Sequence, residues 1–414
     1  MVEIRKLNCN VTVVLEKIDY VKSAAFGVWV HAGSRNEDKF NSGVSHFIEH
    51  MMFKGTTNRS AKKIAVDMDN IGAQFNAFTG KEATCYYVKS TSENIEKGAE
   101  IILDMLNNSL FDAREMTRER KVIKEEMKMT QDQPDELACD EVTDLVFKGT
   151  PLGKSIIGTN TSLNNITRNV MVEYRNKEYT KDSIVVSIAG NFDTDRFLDF
   201  LEDKFSNFEE KKEPLSEKHL PYQRTLKVIT RDIQQSHIVL AAKGTKIEDE
   251  NNTELQLLSS IMGGTMSSRF FQNIREEKGL AYSVYSVSQS YSEDGMFMIY
   301  AGVGHDKIKD ALNGIKDELS YLKNSSVTLE ELNKAKEQAK ASYAFSQENI
   351  TSRMFANGKD MVQLGRVRSM DENLKKINEV SIDSIDNMKN MITDPDKYTV
   401  VLVTDKKKDL SKLW

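Results

Sequence analysis

The run Ser23-Ala-Ala-Phe-Gly-Val-Trp-Val30 is strand-like and almost wholly apolar, and it ends at Ala32-Gly33-Ser34-Arg35-Asn36-Glu37-Asp38. It has a counterpart 213 positions later in Ser236-His-Ile-Val-Leu-Ala-Ala242, which ends at the similar turn Lys243-Gly244-Thr245-Lys246-Ile247-Glu248-Asp249. Working outward, Thr84-Cys-Tyr-Tyr-Val-Lys-Ser90 and a helical pattern from Ser92 (Ile95, Ile101, Ile102, Met105) match a later pair of elements. Those are Gly295-Met-Phe-Met-Ile-Tyr-Ala301 and the helix from His305 (Ile308, Leu312, Ile315, Leu319). A charged helix follows in each half, with candidate caps at Asp112-Ala-Arg-Glu115 and Thr328-Leu-Glu-Glu331. There a side-chain oxygen can accept from free backbone amides, and the acid suits the N-terminal dipole. Each half closes on a β-branched strand, Ile184-Val-Val-Ser-Ile188 and Thr399-Val-Val-Leu-Val403.

The repeat predicts an α+β fold of two homologous domains, residues 1–207 and 223–414, each a mixed, mostly antiparallel sheet with helices on one face. Residues 208–222 are charged, hold Pro214 and Pro221 and lack periodicity, so they read as a linker. No glycine-rich phosphate loop competes with that reading.

A chain of 414 residues is long enough to bury a core in each half. Its 57 Lys and Arg against 63 Asp and Glu give a net charge of −6, which offers no footprint for nucleic acid or an anionic membrane. Cys9, Cys85 and Cys139 are widely spaced and odd in number, so neither a disulfide framework nor a thiolate zinc site is indicated. No secretory pattern opens the chain, and no stretch approaches the roughly 18 apolar residues of a membrane span. The expectation is a soluble, cytoplasmic protein.

One constellation carries chemistry. In His46-Phe47-Ile48-Glu49-His50, within an apolar stretch that should be helical, the two histidines lie four apart and Glu49 lies three beyond His46. Two imidazoles one turn apart can chelate zinc, and a nearby carboxylate that is not a ligand can take a proton from water. The bland alternative is three polar side chains on a wet helix face. A catalytic zinc needs a third protein ligand, and Glu119 and Glu126, seven apart on a charged helix, are the candidates. One can bind the metal while the other holds a ligand histidine. Offsets of 213 and 216 place Ser259, Met262, Gly263, Ala335 and Ser342 opposite His46, Glu49, His50, Glu119 and Glu126, so the second half lacks the metal donors. It offers instead the turn from Gly263-Gly264, then Arg275 and Tyr282, which can orient a carbonyl and donate to an oxyanion.

The run Gly43-Val-Ser-His46-Phe-Ile-Glu49-His50-Met-Met-Phe-Lys-Gly-Thr56 resembles the zinc centre of the pitrilysin/insulinase metallopeptidases, most closely the short-chain branch with the mitochondrial processing peptidase β subunit. The resemblance covers essentially the whole chain. It implies a zinc endopeptidase with Glu126 as third ligand and Glu119 in support of catalysis. It implies that the strand through Asn76 and Ala77 takes extended substrate as an added strand, and that Arg275 and Tyr282 hold the substrate carbonyl. Glu136 and Asp140 match acidic positions that read a basic residue near the cut. The family's chambers hold four such halves, which implies a homodimer with shared active sites acting on peptides or unfolded segments. A non-catalytic scaffold or substrate-presenting subunit of a larger complex is the alternative.

Overall fold

The computed structural model describes residues 2–202, 204–210 and 221–414, so most of the expected linker, residues 211–220, lies outside the described residues. The first sheet contains β1 (Val2–Lys6), β2 (Thr12–Lys17), β3 (Ser23–Val30), β4 (Gln74–Thr79), β5 (Thr84–Thr91) and β6 (Ile184–Gly190), ordered β1-β2-β6-β3-β5-β4. The second contains β7 (Leu226–Thr230), β8 (Ser236–Lys243), β9 (Ala281–Ser290), β10 (Gly295–Val303) and β11 (Thr399–Thr404), ordered β7-β11-β8-β10-β9. Dropping β1 makes the two orders identical. The directions agree too, with one parallel pair in each sheet (β2 with β6, β7 with β11) and antiparallel pairing elsewhere. This is the α+β duplication that the sequence repeat predicts.

On one face of the first sheet, Phe26, Val28, Tyr86 and Val88 pack with apolar residues of α1 (Val44–Met52), α2 (Ala61–Asn70) and α3 (Ile95–Asn108). Ile102 and Met105 of α3 are fully buried, and each such side chain stabilises the fold by about 1.5–3 kcal/mol. The expected caps form. Asp112 Oδ1 accepts from the amides of Arg114 (2.9 Å) and Glu115 (3.1 Å) at the start of α4 (Ala113–Asp132). Thr328 and Glu331 cap each other before the helix Leu329–Glu348, through Glu331 N–H to Thr328 Oγ1 (3.1 Å) and Thr328 N–H to Glu331 Oε2 (2.7 Å).

The compact units are not the contiguous stretches bounded at 207 and 223. Lys128–Gly153, which holds α5 (Pro134–Val146), belongs to the second unit, and Ala344–Arg368, which holds the helix Ile350–Leu364, belongs to the first. In the second unit, Ala138, Val142 and Val146 of α5 pack on Val239, Ala241, Val401 and Val403. In the first, Met354 and Met361 pack among Ala25, Trp29, Val185 and Ala189. Each sheet therefore also carries a helix on the face that the sequence reading leaves uncovered. The physical reason is burial on both faces: β6, β10 and β11 are buried along their whole length.

Candidate metal centre

Helix α1 begins at Gly43, whose φ of +90° is left-handed and whose missing Cβ leaves room for the Ile157 carbonyl, 2.7 Å from where that atom would sit. The helix start is held by Glu37, a buried carboxylate that accepts from the amides of Gly43 (2.7 Å) and Ser45 (2.9 Å). Burial pushes the Glu37 pKa up to about 8, against the pull of those amides. Ser45 Oγ also meets the Tyr174 hydroxyl at 2.8 Å, tying the buried side of α1 to the helix Arg168–Glu178. With Phe47, Ile48, Met51 and Met52 buried, the helix presents His46, Glu49 and His50 on its partly open side.

The structure brings His46, His50 and Glu126 together, with one potential ligand atom from each lying within 4.8 Å of the others. Glu126 Oε1 is 3.7 Å from His46 Nε2, and Oε2 is 3.5 Å from His50 Nε2. Ligands at the usual zinc distances stand about 3.4 Å apart in a tetrahedron, so the two imidazole–carboxylate separations fit zinc, and three donors are one short of its usual four. Two imidazole nitrogens and one carboxylate oxygen are also the donor types zinc takes in hydrolytic sites. Glu119, two turns before Glu126 on α4, is buried and approaches the far side of the His50 ring, 3.2 Å from Nδ1. The two glutamates meet opposite sides of one imidazole: Glu126 faces Nε2 and Glu119 faces Nδ1 of His50.

Electrostatics distinguish the two histidines. Burial and the neighbouring His50 lower the His46 pKa to about 4, although Glu126 opposes this, so His46 is a neutral donor at ordinary pH. Burial also works against a charged His50, but hydrogen bonds from its ring to Glu126 and Glu119 outweigh it and raise its pKa. The hydrogen bond to His50 lowers the Glu126 pKa. Burial raises that of Glu49, opposed by the Thr79 hydroxyl, which donates to Glu49 Oε2 at 2.5 Å. The two histidines are thus shifted in opposite directions, His46 down by burial and His50 up by its two carboxylate partners.

Asn76 and Ala77 lie on β4, which among the described residues pairs only with β5 and forms an edge of its sheet. The Ala77 amide donates to Asn76 Oδ1 (2.9 Å), so a side chain covers one main-chain donor of this edge. Glu136, Asp140, Arg275 and Tyr282 belong to the second unit. Glu136 and Asp140 are one turn apart on α5. Arg275 lies in a π-helical turn, Phe271–Glu277, with its guanidinium 4.6 Å from the Phe271 ring centre and 5.6 Å from that of Tyr282. Tyr282, the second residue of β9, is 78% exposed, so the pair forms an accessible cation–aromatic group.

Sequence reasoning misses Thr79, although strand alternation carries its signal: two residues beyond Ala77, it lies on the same face of β4. It also misses Lys54, whose Nζ is 2.8 Å from Glu119 Oε1 and which follows His46 and His50 at intervals of four. The glycines after Met262 acquire a packing role, since a Cβ on Gly263 would lie 2.3 Å from the Ser286 backbone nitrogen of β9.

Comparison with known proteins supplies the context. A family model described as Insulinase (Peptidase family M16) matches residues 12–160, and one described as Peptidase M16 inactive domain matches residues 165–339. A Bacillus subtilis protein named uncharacterized zinc protease YmxG is 36% identical over 97% of this chain and 98% of its own. A Rickettsia felis protein named uncharacterized zinc protease is 37% identical over 94% of each chain. Among solved structures, a Helicobacter pylori protease superposes with a TM-score of 0.90 at 20% identity, over 97% of this chain and 99% of its own. A chain of complex III2 from Candida albicans superposes with a TM-score of 0.84 at 18% identity, over 100% of this chain and 98% of its own.

Proposed function

Because the chain belongs to the insulinase family of peptidases, family M16, in its short two-domain form, we propose that it is a zinc-dependent endopeptidase acting on extended or unfolded peptides. The observation that carries this reading is the convergence of His46, His50 and Glu126 within 4.8 Å, with Glu49 beside them. His46, His50 and Glu126 would hold the zinc ion, which when bound supplies a Lewis acid that polarises a carbonyl and acidifies water.

The rest of the chemistry belongs to the chain. Thr79 occupies Glu49 Oε2, so Oε1 is the oxygen that accepts a proton from the attacking water and later delivers it to the leaving amine nitrogen. Burial, which raises the Glu49 pKa, makes the carboxylate more ready to take up that proton. Glu119 orients the His50 ring by accepting from Nδ1. The edge of β4 takes the peptide as an added strand, with Asn76 Oδ1 surrendering the Ala77 amide to a substrate carbonyl. A folded chain cannot offer its backbone in this way, which sets the preference for extended segments.

Arg275 and Tyr282 bind the substrate carbonyl, and two copies of the chain form a homodimer in which these groups and the metal centre are shared. Glu136 and Asp140 favour a basic residue near the cut. The test is a peptide-library cleavage profile run with and without a chelator. Cleavage that stops with chelator and returns with zinc is the expected result, and chelator-resistant cleavage would refute the proposal. In the same profile, replacing both Glu136 and Asp140 with Asn should reduce selection for a basic residue by about tenfold, as lost charge pairing of about 1.4 kcal/mol would. An unchanged profile removes that specificity assignment alone.

A further inference from the structure

Beyond the assigned ligands, base and substrate contacts, one charged side chain reaches this centre with no role yet given to it. His46, His50 and Lys54 recur every four residues, so a lysine follows the two imidazoles at the same spacing, just past the end of their helix. Helix α1 ends at Met52, and the chain continues in a turn in which the Phe53 amide returns to the His50 carbonyl and the Lys54 amide bonds to that of Met51 (3.1 Å). This turn keeps Lys54 over the last helical turn. Its Nζ lies 2.8 Å from Glu119 Oε1, while Glu119 Oε2 is 3.2 Å from His50 Nδ1. The two carboxylate oxygens are thus divided between an ammonium and an imidazole.

We propose that Lys54 is a positioning residue for the metal centre, acting on His50 through Glu119. The inference rests on the reading of His46, His50 and Glu126 as zinc ligands. Glu119 is only 8% exposed at its side chain, so an ionised carboxylate there needs a compensating cation. Lys54 supplies it and fixes the carboxylate plane by a charge-assisted hydrogen bond. Glu119 then accepts from His50 Nδ1–H, which selects the tautomer that leaves Nε2 unprotonated and facing Glu126. The charges also balance: Glu49, Glu119 and Glu126 as carboxylates, one Lys54 ammonium and one divalent cation sum to zero. Removing Lys54 leaves a buried negative charge free to turn toward the metal, which disturbs the ligand geometry without deleting a ligand.

The experiment measures the zinc dissociation constant by chelator competition for the wild type, Lys54→Met, Lys54→Arg, Glu119→Gln and the Lys54→Met/Glu119→Gln double variant. Loss of a partner behind a metal-binding histidine weakens affinity by about 10–100-fold, and about tenfold is expected for Lys54→Met, with Lys54→Arg restoring most of it. In the Glu119→Gln background the same change should shift affinity less than twofold, because the lysine acts only through that carboxylate. Nitrogen-15 shifts of the His50 ring should show mixed tautomers in Lys54→Met and a single one in the wild type. Metal-free melting curves identify general unfolding, and Lys54→Arg covers the case in which Lys54→Met does not fold. The proposal is overturned if Lys54→Met leaves the constant within twofold of wild type, or if Lys54→Met weakens binding equally with and without Glu119. It also falls if Lys54→Arg is as impaired as Lys54→Met. A wild type that binds no zinc would instead defeat the underlying metal assignment, and the lysine's role with it.

Discussion

The two units share a strand order and directions but treat one place in the scaffold in opposite ways. In the first, His46, Glu49 and His50 on α1 face Glu119 and Glu126 on α4, giving a cluster of ionisable groups. In the second, the repeat places Ser259, Met262 and Gly263 on the helix Asn252–Gly263, and Ala335 and Ser342 on the helix Leu329–Glu348. Met262 is fully buried, and Gly263 packs against β9 where a side chain would clash. Beside them lies a cleft of about 480 Å³ whose lining mixes hydroxyls such as Ser260 and Thr265 with the charged Glu331, Lys334 and Glu337, but holds no histidine. The difference teaches that the shared strand order and directions form with or without these ionisable groups at this place.

The most severe way to break this comparison is to exchange one residue on each side of it. Glu49→Gln should bind zinc normally and lower kcat by about 10³-fold, within the range that a general base supplies. Its repeat counterpart Met262→Leu conserves core volume and should leave kcat within about threefold of wild type. Steady-state kinetics on one quenched peptide, with zinc content measured alongside, checks both. Equal losses in the two variants would end the division of labour between the units.

A second contrast concerns the exchanged helices. The helix Ile350–Leu364 crosses Trp29 at Gly358, where a Cβ would lie 2.1 Å from the Trp29 Nε1, whereas α5 packs its own sheet with fully buried Ala138. The first contact excludes a methyl group that the second accommodates. Gly358→Val should therefore overpack the first unit and cost about 1–3 kcal/mol in chemical denaturation. A stability unchanged by Gly358→Val would show that this helix sits less closely on the sheet than its partner.

Legibility in the sequence followed the range over which each signal acts. The duplicated fold was visible because strand and helix periodicities are local, and the caps at Asp112 and Thr328 were visible because they act over three residues. His46, Glu49 and His50 shared a legible helix face, but the choice between Glu119 and Glu126 needed the resemblance, since both lie on one face of α4. The exchange of α5 and the helix Ile350–Leu364 was not read, because which sheet a helix covers depends on packing between distant segments. A hint existed in the continuous apolar runs of β3 and β11, which signal strands buried on both faces rather than one. Thr79 and Lys54 were missed for a related reason: each matters through a partner 30 or 65 residues away.

The gentlest test returns to the two matching caps. At the first, Asp112 accepts from two amides at an exposed helix start. At the second, Glu331 caps Thr328 and also takes a bidentate contact from the buried Arg269, at 2.7 and 2.9 Å. Burial alone would raise the Glu331 pKa, but Arg269 and the Thr328 amide reverse this and hold it down to about 2. A carboxyl whose pKa is lower folded than unfolded adds stability above its ordinary value of 4.5, and that stability fades as pH falls through 4.5 toward about 2. Glu331→Gln should thus cost about 1–2 kcal/mol near pH 7, modest because the pair is partly exposed, with the gap to wild type closing between pH 4.5 and about 2. Asp112→Asn keeps a capping oxygen and should shift the denaturation midpoint less than Glu331→Gln does. Denaturation midpoints across that pH range decide the matter: a gap for Glu331→Gln that does not narrow in acid would mean that the second cap is no more electrostatic than the first.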